Sequence, residues 1–212
     1  MATPLAETVS ALDLQFDVLD PNSATFVRLF TRPGGEWDQP EPQYRNGRVD
    51  PPDGFKDNYA VLYVADSLPA VATETGVLWA RRDDTYLWSS EEASRRLVAR
   101  YQFVEPALFI PIDGGNEARL GLAGSQRKVT AGYKPFQVAA LALWQRFGRL
   151  AHGLSWASFH RNRPGRVYGI WHDRKTAMGL VRPPEVGPFT PLPRDIEWLE
   201  ISADPQLERV DA

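Results

Sequence analysis

Residues 62–78 read LYVADSLPAVATETGVL: a short β-like run, a turn, then a helix-like run that carries one carboxylate, Glu74, among apolar neighbours. In AVLYVA (60–65), Leu62 and Val64 alternate with Val61, Tyr63 and Ala65, which is the two-residue period of a strand. Ser67 stands where a helix N-cap belongs, and Leu68, Val71, Ala72, Leu78 and Trp79 form an apolar stripe at helical spacing. Glu74 falls at the border of that stripe. What this acid serves is the question the rest of the chain has to answer.

Upstream, TFVRLF (25–30) predicts a strand with Val27 and Leu29 on one face and Phe26, Arg28 and Phe30 on the other. Between the two strands, residues 31–57 are dense in Pro, Gly and Asp and keep neither period, which predicts a long loop of the kind that often carries function. Downstream, SSEEASRRLVARY (89–101) predicts a helix, with Ser89 and Glu92 in capping-box spacing and Leu97, Val98 and Tyr101 as its apolar side. ALFIPI (107–112) reads as a buried strand. PFQVAALALWQRFGRLAHG (135–153) reads as a helix with Pro135 near its start and Gly153 at its end. LSWASFH (154–160) and GRVYGIWHD (165–173) read as two strands joined by a turn, and IEWLEIS (196–202) as another strand. Strands and helices mix without regular βαβ alternation, so the expected class is α+β rather than a doubly wound parallel sheet. One domain is expected over 1–212, with a core of about 24–202 and terminal extensions.

Composition narrows the chemistry. Lys plus Arg number 24 against 27 Asp plus Glu, a formal charge of −3, so direct capture of nucleic acid or an anionic membrane is not favoured and any anion site must be local. The absence of cysteine removes disulfides, thiolate nucleophiles and Cys-based metal sites, and fits a reducing compartment. The start, MATPLAETVSALDLQF, lacks the basic and apolar regions of a signal peptide, and no apolar run approaches the roughly 20 residues of a membrane span. A cytoplasmic location is the expectation.

His152, His160 and His172 show no metal-ligand spacing, and structural histidines are the simpler reading; no metal site is expected. Walker, GxSxG and GxGxxG motifs are missing. The arginines of HRNRPGRV (160–167) could present a nucleic-acid or protein-binding surface, but a solvated hairpin turn accounts for them as well. Taken singly, Arg28 is an edge-strand arginine lying over aromatic rings, Glu74 a boundary glutamate and Tyr63 a half-buried strand tyrosine.

Taken together, these segments resemble the RES domain, named for an Arg, a Glu and a Ser and typical of the toxins of RES–Xre toxin–antitoxin pairs. FVRLF looks like the family's opening strand with its arginine, here Arg28, and YRNGRVDPPDG looks like its GGRWNPPG loop, which places a second arginine at Arg48. LYVADSLPAVATE is similar to LYLAxxxxTALAE, giving Tyr63 and Glu74, and HGLSWASFH resembles DGIxYPSxR, giving Ser158. Val49 and Asp50 stand where Trp and Asn are usual, and SWAS stands for xYPS.

The resemblance implies an ADP-ribosyltransferase-like α+β fold, with mixed or antiparallel sheets and flanking helices. It also implies NAD⁺ as substrate rather than cofactor, consumed by hydrolysis or phosphorolysis of the nicotinamide–ribose bond, and an Xre-type antitoxin as partner. Some relatives instead transfer ADP-ribose to protein. On this reading Glu74 stabilises the developing oxocarbenium-like charge, with Arg28 assisting. Arg28 and Arg48 hold pyrophosphate or ribose, Tyr63 packs beside the nicotinamide ribose, and Ser158 orients the ribose or Glu74.

Overall fold

The computed structural model describes residues 13–21, 24–80, 85–123, 132–158, 165–183 and 187–210. At its centre is VLYVA, whose residues are apolar on both faces; only a strand covered on both sides accommodates that pattern. Preceded by β1 (Asp17–Leu19) and β2 (Phe26–Phe30), it forms β3 (Val61–Ala65). Leu62 and Val64 enter an aromatic cluster with Phe26, Phe30 and Tyr101, while Val61 packs with Val49, Trp156 and Trp171 on the other face.

A helix follows at once. In α1 (Leu68–Glu74) the Ser67 hydroxyl accepts the Ala70 amide at 3.4 Å, and Pro69 occupies the first turn, where its missing N–H costs nothing. The stripe at Leu78 and Trp79 suggests a longer helix, but Gly76 adopts φ of 71° and the chain turns there. The Val77 amide donates to the Ala72 carbonyl at 2.9 Å and the Gly76 amide to that of Thr73 at 3.2 Å, the paired bonds of a glycine C-terminal cap. Leu78 and Trp79 then belong to β4 (Leu78–Ala80), paired with β5 (Tyr86–Ser89). Glu74 is thereby the last helical residue.

Residues 89–101 differ from the single helix expected. Ser89 does cap, accepting the Glu92 amide at 3.1 Å, but α2 (Ser90–Ser94) lasts little more than one turn before β6 (Leu97–Phe103) begins. Leu97, Ala99, Tyr101 and Phe103 face the aromatic cluster and Val98 the opposite side, a two-residue period. Five registered pairs with β2, from Phe26↔Tyr101 to Phe30↔Leu97, override the helical spacing.

After β7 (Ala107–Pro111) and α3 (Gly115–Arg119) comes α4 (Lys134–Phe147), which ends at Gly148 rather than Gly153. Gly153 instead opens β8 (Gly153–Ala157), where a Cβ would collide with the Gly169 carbonyl of β9 (Arg166–Trp171). The chain continues through β10 (Leu180–Val181) and β11 (Thr190–Pro191). The strand expected at 196–202 is helix α5 (Ile196–Ser202), nucleated by Asp195, whose carboxylate accepts the Trp198 amide at 3.2 Å. Its apolar alternation misleads because Ile196 and Leu199 are exposed, at 76% and 51%, while Trp198 is buried in the core and Ile201 packs against it. β12 (Leu207–Val210) closes the described chain.

Among the described residues, one mixed sheet runs β1-β7-β8-β9-β3-β2-β6-β10 with β11 also on β6, and a second runs β12-β5-β4. β7 with β8 and β5 with β12 are parallel pairs within otherwise antiparallel pairing. This is the α+β class expected. Helix α4 covers the face bearing Val61 and Trp156, and α1 covers the adjoining face through Leu68 and Val71. The strands β2 and β3 register at one pair, Val27↔Ala65, so they part beyond it.

Candidate active site

Glu74 emerges at the C-terminal end of α1, where the helix dipole gives a carboxylate no support. Its position is set from the other side by β8 and β9. The Ser158 amide donates to the Gly165 carbonyl at 2.9 Å, and Gly165 lies so close to α1 that a Cβ there would stand 2.6 Å from the Ala70 side chain. Drawn onto the helix in this way, Ser158 donates its Oγ hydrogen to Glu74 Oε1 at 3.0 Å.

Arg48 faces the same group. Its guanidinium carbon lies 5.1, 5.3 and 5.8 Å from the ring centres of Phe136, Tyr133 and Trp156, a three-ring aromatic seat. Burial lowers its pKa, an effect opposed by the Glu74 carboxylate and by the Tyr133 hydroxyl, and the group remains a cation. Tyr63 meets Trp156 edge-on at 6.3 Å, and its hydroxyl accepts the Val49 amide at 3.1 Å. Burial pushes the Tyr63 phenol well above its usual range, with the neighbouring Asp50 carboxylate adding to the rise. It is a fixed, neutral hydroxyl.

Arg28 joins this group from the gap between β2 and β3. Nε donates to the Gly35 carbonyl at 2.9 Å and Nη1 to the Tyr63 carbonyl at 2.8 Å, so it ties the long loop to β3 through main chain. Burial lowers its pKa, countered chiefly by Tyr101 and Tyr63. Arg28 also lines a cleft of about 460 Å³ together with residues 29–35, 38–41 and Arg96; the lining mixes Arg32 and Arg96, the latter paired with Glu92 at 2.9 Å, with Asp38 and Glu41, and includes none of Arg48, Tyr63, Glu74 or Ser158. Arg96 leads back to the carboxylate: its Nη2 donates at 3.1 Å to the carbonyl of Thr75, the residue after Glu74. Arg48 and Tyr63 thus flank Trp156, Glu74 is linked to Arg48 by charge and to Ser158 by a hydrogen bond, and Arg28, bonded to the Tyr63 carbonyl, reaches from this group to the cleft.

Sequence reasoning missed Trp156, Tyr133, Phe136 and Arg96, and marked Asp50 only as a departure from the family's loop motif, without a role. For Trp156 a signal existed, since it lies two residues before Ser158. For Tyr133 and Phe136 there was none, because α4 is distant in sequence and its stripe reads as ordinary core. His152 and His172 are buried structural residues, at 8% and 6% exposure. Nδ1 of His152 accepts the Leu108 amide at 2.9 Å, and burial lowers the His172 pKa to about 3. His160 and the arginines at 161 and 163 lie outside the described residues. Among the described residues no group of three or more His, Asp or Glu is disposed to hold a metal ion, and no helix is long and apolar enough to cross a membrane.

No protein-family model and no curated protein matches the chain. A solved structure does: a chain in the crystal structure of the M. tuberculosis MbcT–MbcA toxin–antitoxin complex superposes with a TM-score of 0.52 over 84% of this chain and 88% of that one. The two share a fold. At 14% identity the likeness concerns the path of the chain rather than its chemistry.

Proposed function

We propose that this protein consumes NAD⁺ by breaking the bond between nicotinamide and ribose, as a toxin of the RES type held in check by an Xre-type antitoxin. The observation that carries the reading is the Ser158–Glu74 hydrogen bond of 3.0 Å beside the aromatic-seated Arg48. It supplies a single oriented carboxylate with a cation near it. One carboxylate suffices because nicotinamide departs from a pyridinium cation as a neutral molecule: the C1′–N electron pair moves to nitrogen, and no general acid is required. The acceptor oxygen then bonds to C1′, and its proton passes to solvent.

Glu74 opposes the positive charge that develops on the ribose, an electrostatic gain made in the transition state. Ser158 holds Glu74 in one rotamer. Arg48 and the arginine-lined cleft beside Arg28 receive the diphosphate through charge-assisted hydrogen bonds, giving an acidic protein its local anion site. The shared fold with a chain of a toxin–antitoxin complex supports the toxin reading and the antitoxin partner.

Incubating the purified protein with NAD⁺, with and without inorganic phosphate, tests this. Free nicotinamide is expected in stoichiometry with ADP-ribose, or with its 1′′-phosphate if phosphate is the acceptor. Label retained on protein would assign the transferase reaction instead, and intact NAD⁺ would refute the proposal.

A further inference from the structure

The turn that presents Arg48 is closed by a buried acid. Asp50 is 3% exposed; its Oδ2 accepts the Gly47 amide at 2.6 Å, while its own amide donates back to the Gly47 carbonyl at 3.3 Å. The two bonds span Gly47 to Asp50 with Arg48 at the turn, so the direction in which Arg48 leaves the backbone depends on the carboxylate. On the inner side lies Tyr63, whose hydroxyl accepts the amide of Val49, the other residue of the turn, and adjoins the Asp50 carboxylate. No side chain fits at Gly47, where a Cβ would collide with the Tyr63 hydroxyl and meet Asp50 Oδ2 at 2.9 Å.

Stability does not explain this acid. Its Oδ1 is buried without a hydrogen-bond partner, and burial raises its pKa against the pull of the Gly47 amide, Lys56, Tyr63 and Arg45. A group with that balance costs the fold free energy whenever it is ionised. The carboxylate is kept where it constrains the two residues flanking Arg48.

We infer that Asp50 is a positioning residue of the site: it clasps the Gly47–Asp50 turn against Tyr63 and so fixes Arg48 where the anionic part of the substrate is received. The inference rests on the NAD⁺ reading for its kinetic consequence and on the hydrogen bonds alone for its structural one. Holding a binding group that acts equally on substrate and transition state affects KM rather than kcat.

The test compares wild type, Asp50→Ala and Asp50→Asn in the full chain, by NAD⁺ kinetics and by amide hydrogen exchange. For Asp50→Ala, KM is expected to rise at least tenfold with kcat within about threefold, and the Gly47 and Val49 amides to exchange at least tenfold faster while α4 amides are unchanged. Asp50→Asn keeps an acceptor for Gly47, so it is expected to restore KM and both amides to within about threefold of wild type, with no loss of melting temperature. If the alanine variant does not fold, Asp50→Leu, which fills the space without an acceptor, is read in its place. An unchanged KM, a fall in kcat alone, or failure of Asn to restore binding overturns the inference. Should wild type leave NAD⁺ intact, the NAD⁺ reading fails, and exchange at Gly47 and Val49 still decides whether Asp50 clasps the turn.

Discussion

At the scale of single residues, Arg48 shows why side-chain type matters beyond charge. Its planar cation rests among three rings, whereas a lysine ammonium would carry the same charge without the stacking face. Arg48→Lys is therefore expected to raise the KM for NAD⁺ about tenfold, equivalent to about 1.4 kcal/mol, with kcat little changed. Wild-type KM in this variant would mean that the aromatic seat is incidental. The positions of Arg48, Tyr63, Glu74 and Ser158 were legible in the sequence only through a family resemblance, since each alone reads as an ordinary surface or strand residue. Asp50 was legible only as a departure from the loop motif, and the aromatic seat was not legible at all, because these roles arise from contacts such as Arg48 with Phe136, 88 positions apart in the chain.

At the scale of elements, the site depends on how closely the β8–β9 end approaches α1. Gly165 allows that approach: a Cβ would stand 2.6 Å from Ala70 and 3.2 Å from the Asp66 carboxylate. Gly165→Ala should force the strand end away from the helix and lengthen the Ser158–Glu74 bond. We expect a cost of about 1–3 kcal/mol in stability and a drop in kcat that exceeds it in proportion, measured by melting and turnover on the same sample. Unchanged kcat would show that the approach does not set Glu74. The elements are legible where pattern and pairing agree, as in β2, β3 and β7, and in α4 apart from its end. They were misread where a short helix meets a strand. In 89–101 the cap at Ser89 was real, but partner strand β2 claimed the following residues, and in 196–202 two exposed apolar residues imitated a strand.

For the whole molecule, buried titratable groups set the response to acid. Burial lowers His172 from 6.5 to about 3, and burial and Arg174 lower His152, so both are neutral in the fold. The unfolded chain takes up these protons first as pH falls below about 6.5, so stability is lost progressively from there towards pH 3. Asp195 adds a second loss at lower pH: burial alone would raise its pKa, but the Arg100 guanidinium, at 2.6 and 2.9 Å, brings it below the usual carboxylate range, and the pair is lost as pH falls through that lowered value. Asp50, with its pKa raised, acts in the opposite sense, taking its proton more readily in the fold. The histidine contribution spans the wider range, so melting temperature should decline from pH 6.5 to 4, and His172→Leu should flatten that slope. An unaltered slope in this variant would reject the assignment.

The central claim is that Glu74 is the carboxylate that opposes charge developing on the ribose. Glu74→Gln keeps the size and an acceptor for Ser158 but removes that charge. NAD⁺ turnover by the variant should fall by about 10²–10³ relative to wild type, the scale of losing one preorganised transition-state interaction, with the melting temperature unchanged. Equal turnover in the two proteins, or a fall in melting temperature large enough to account for the lost activity, would contradict the account.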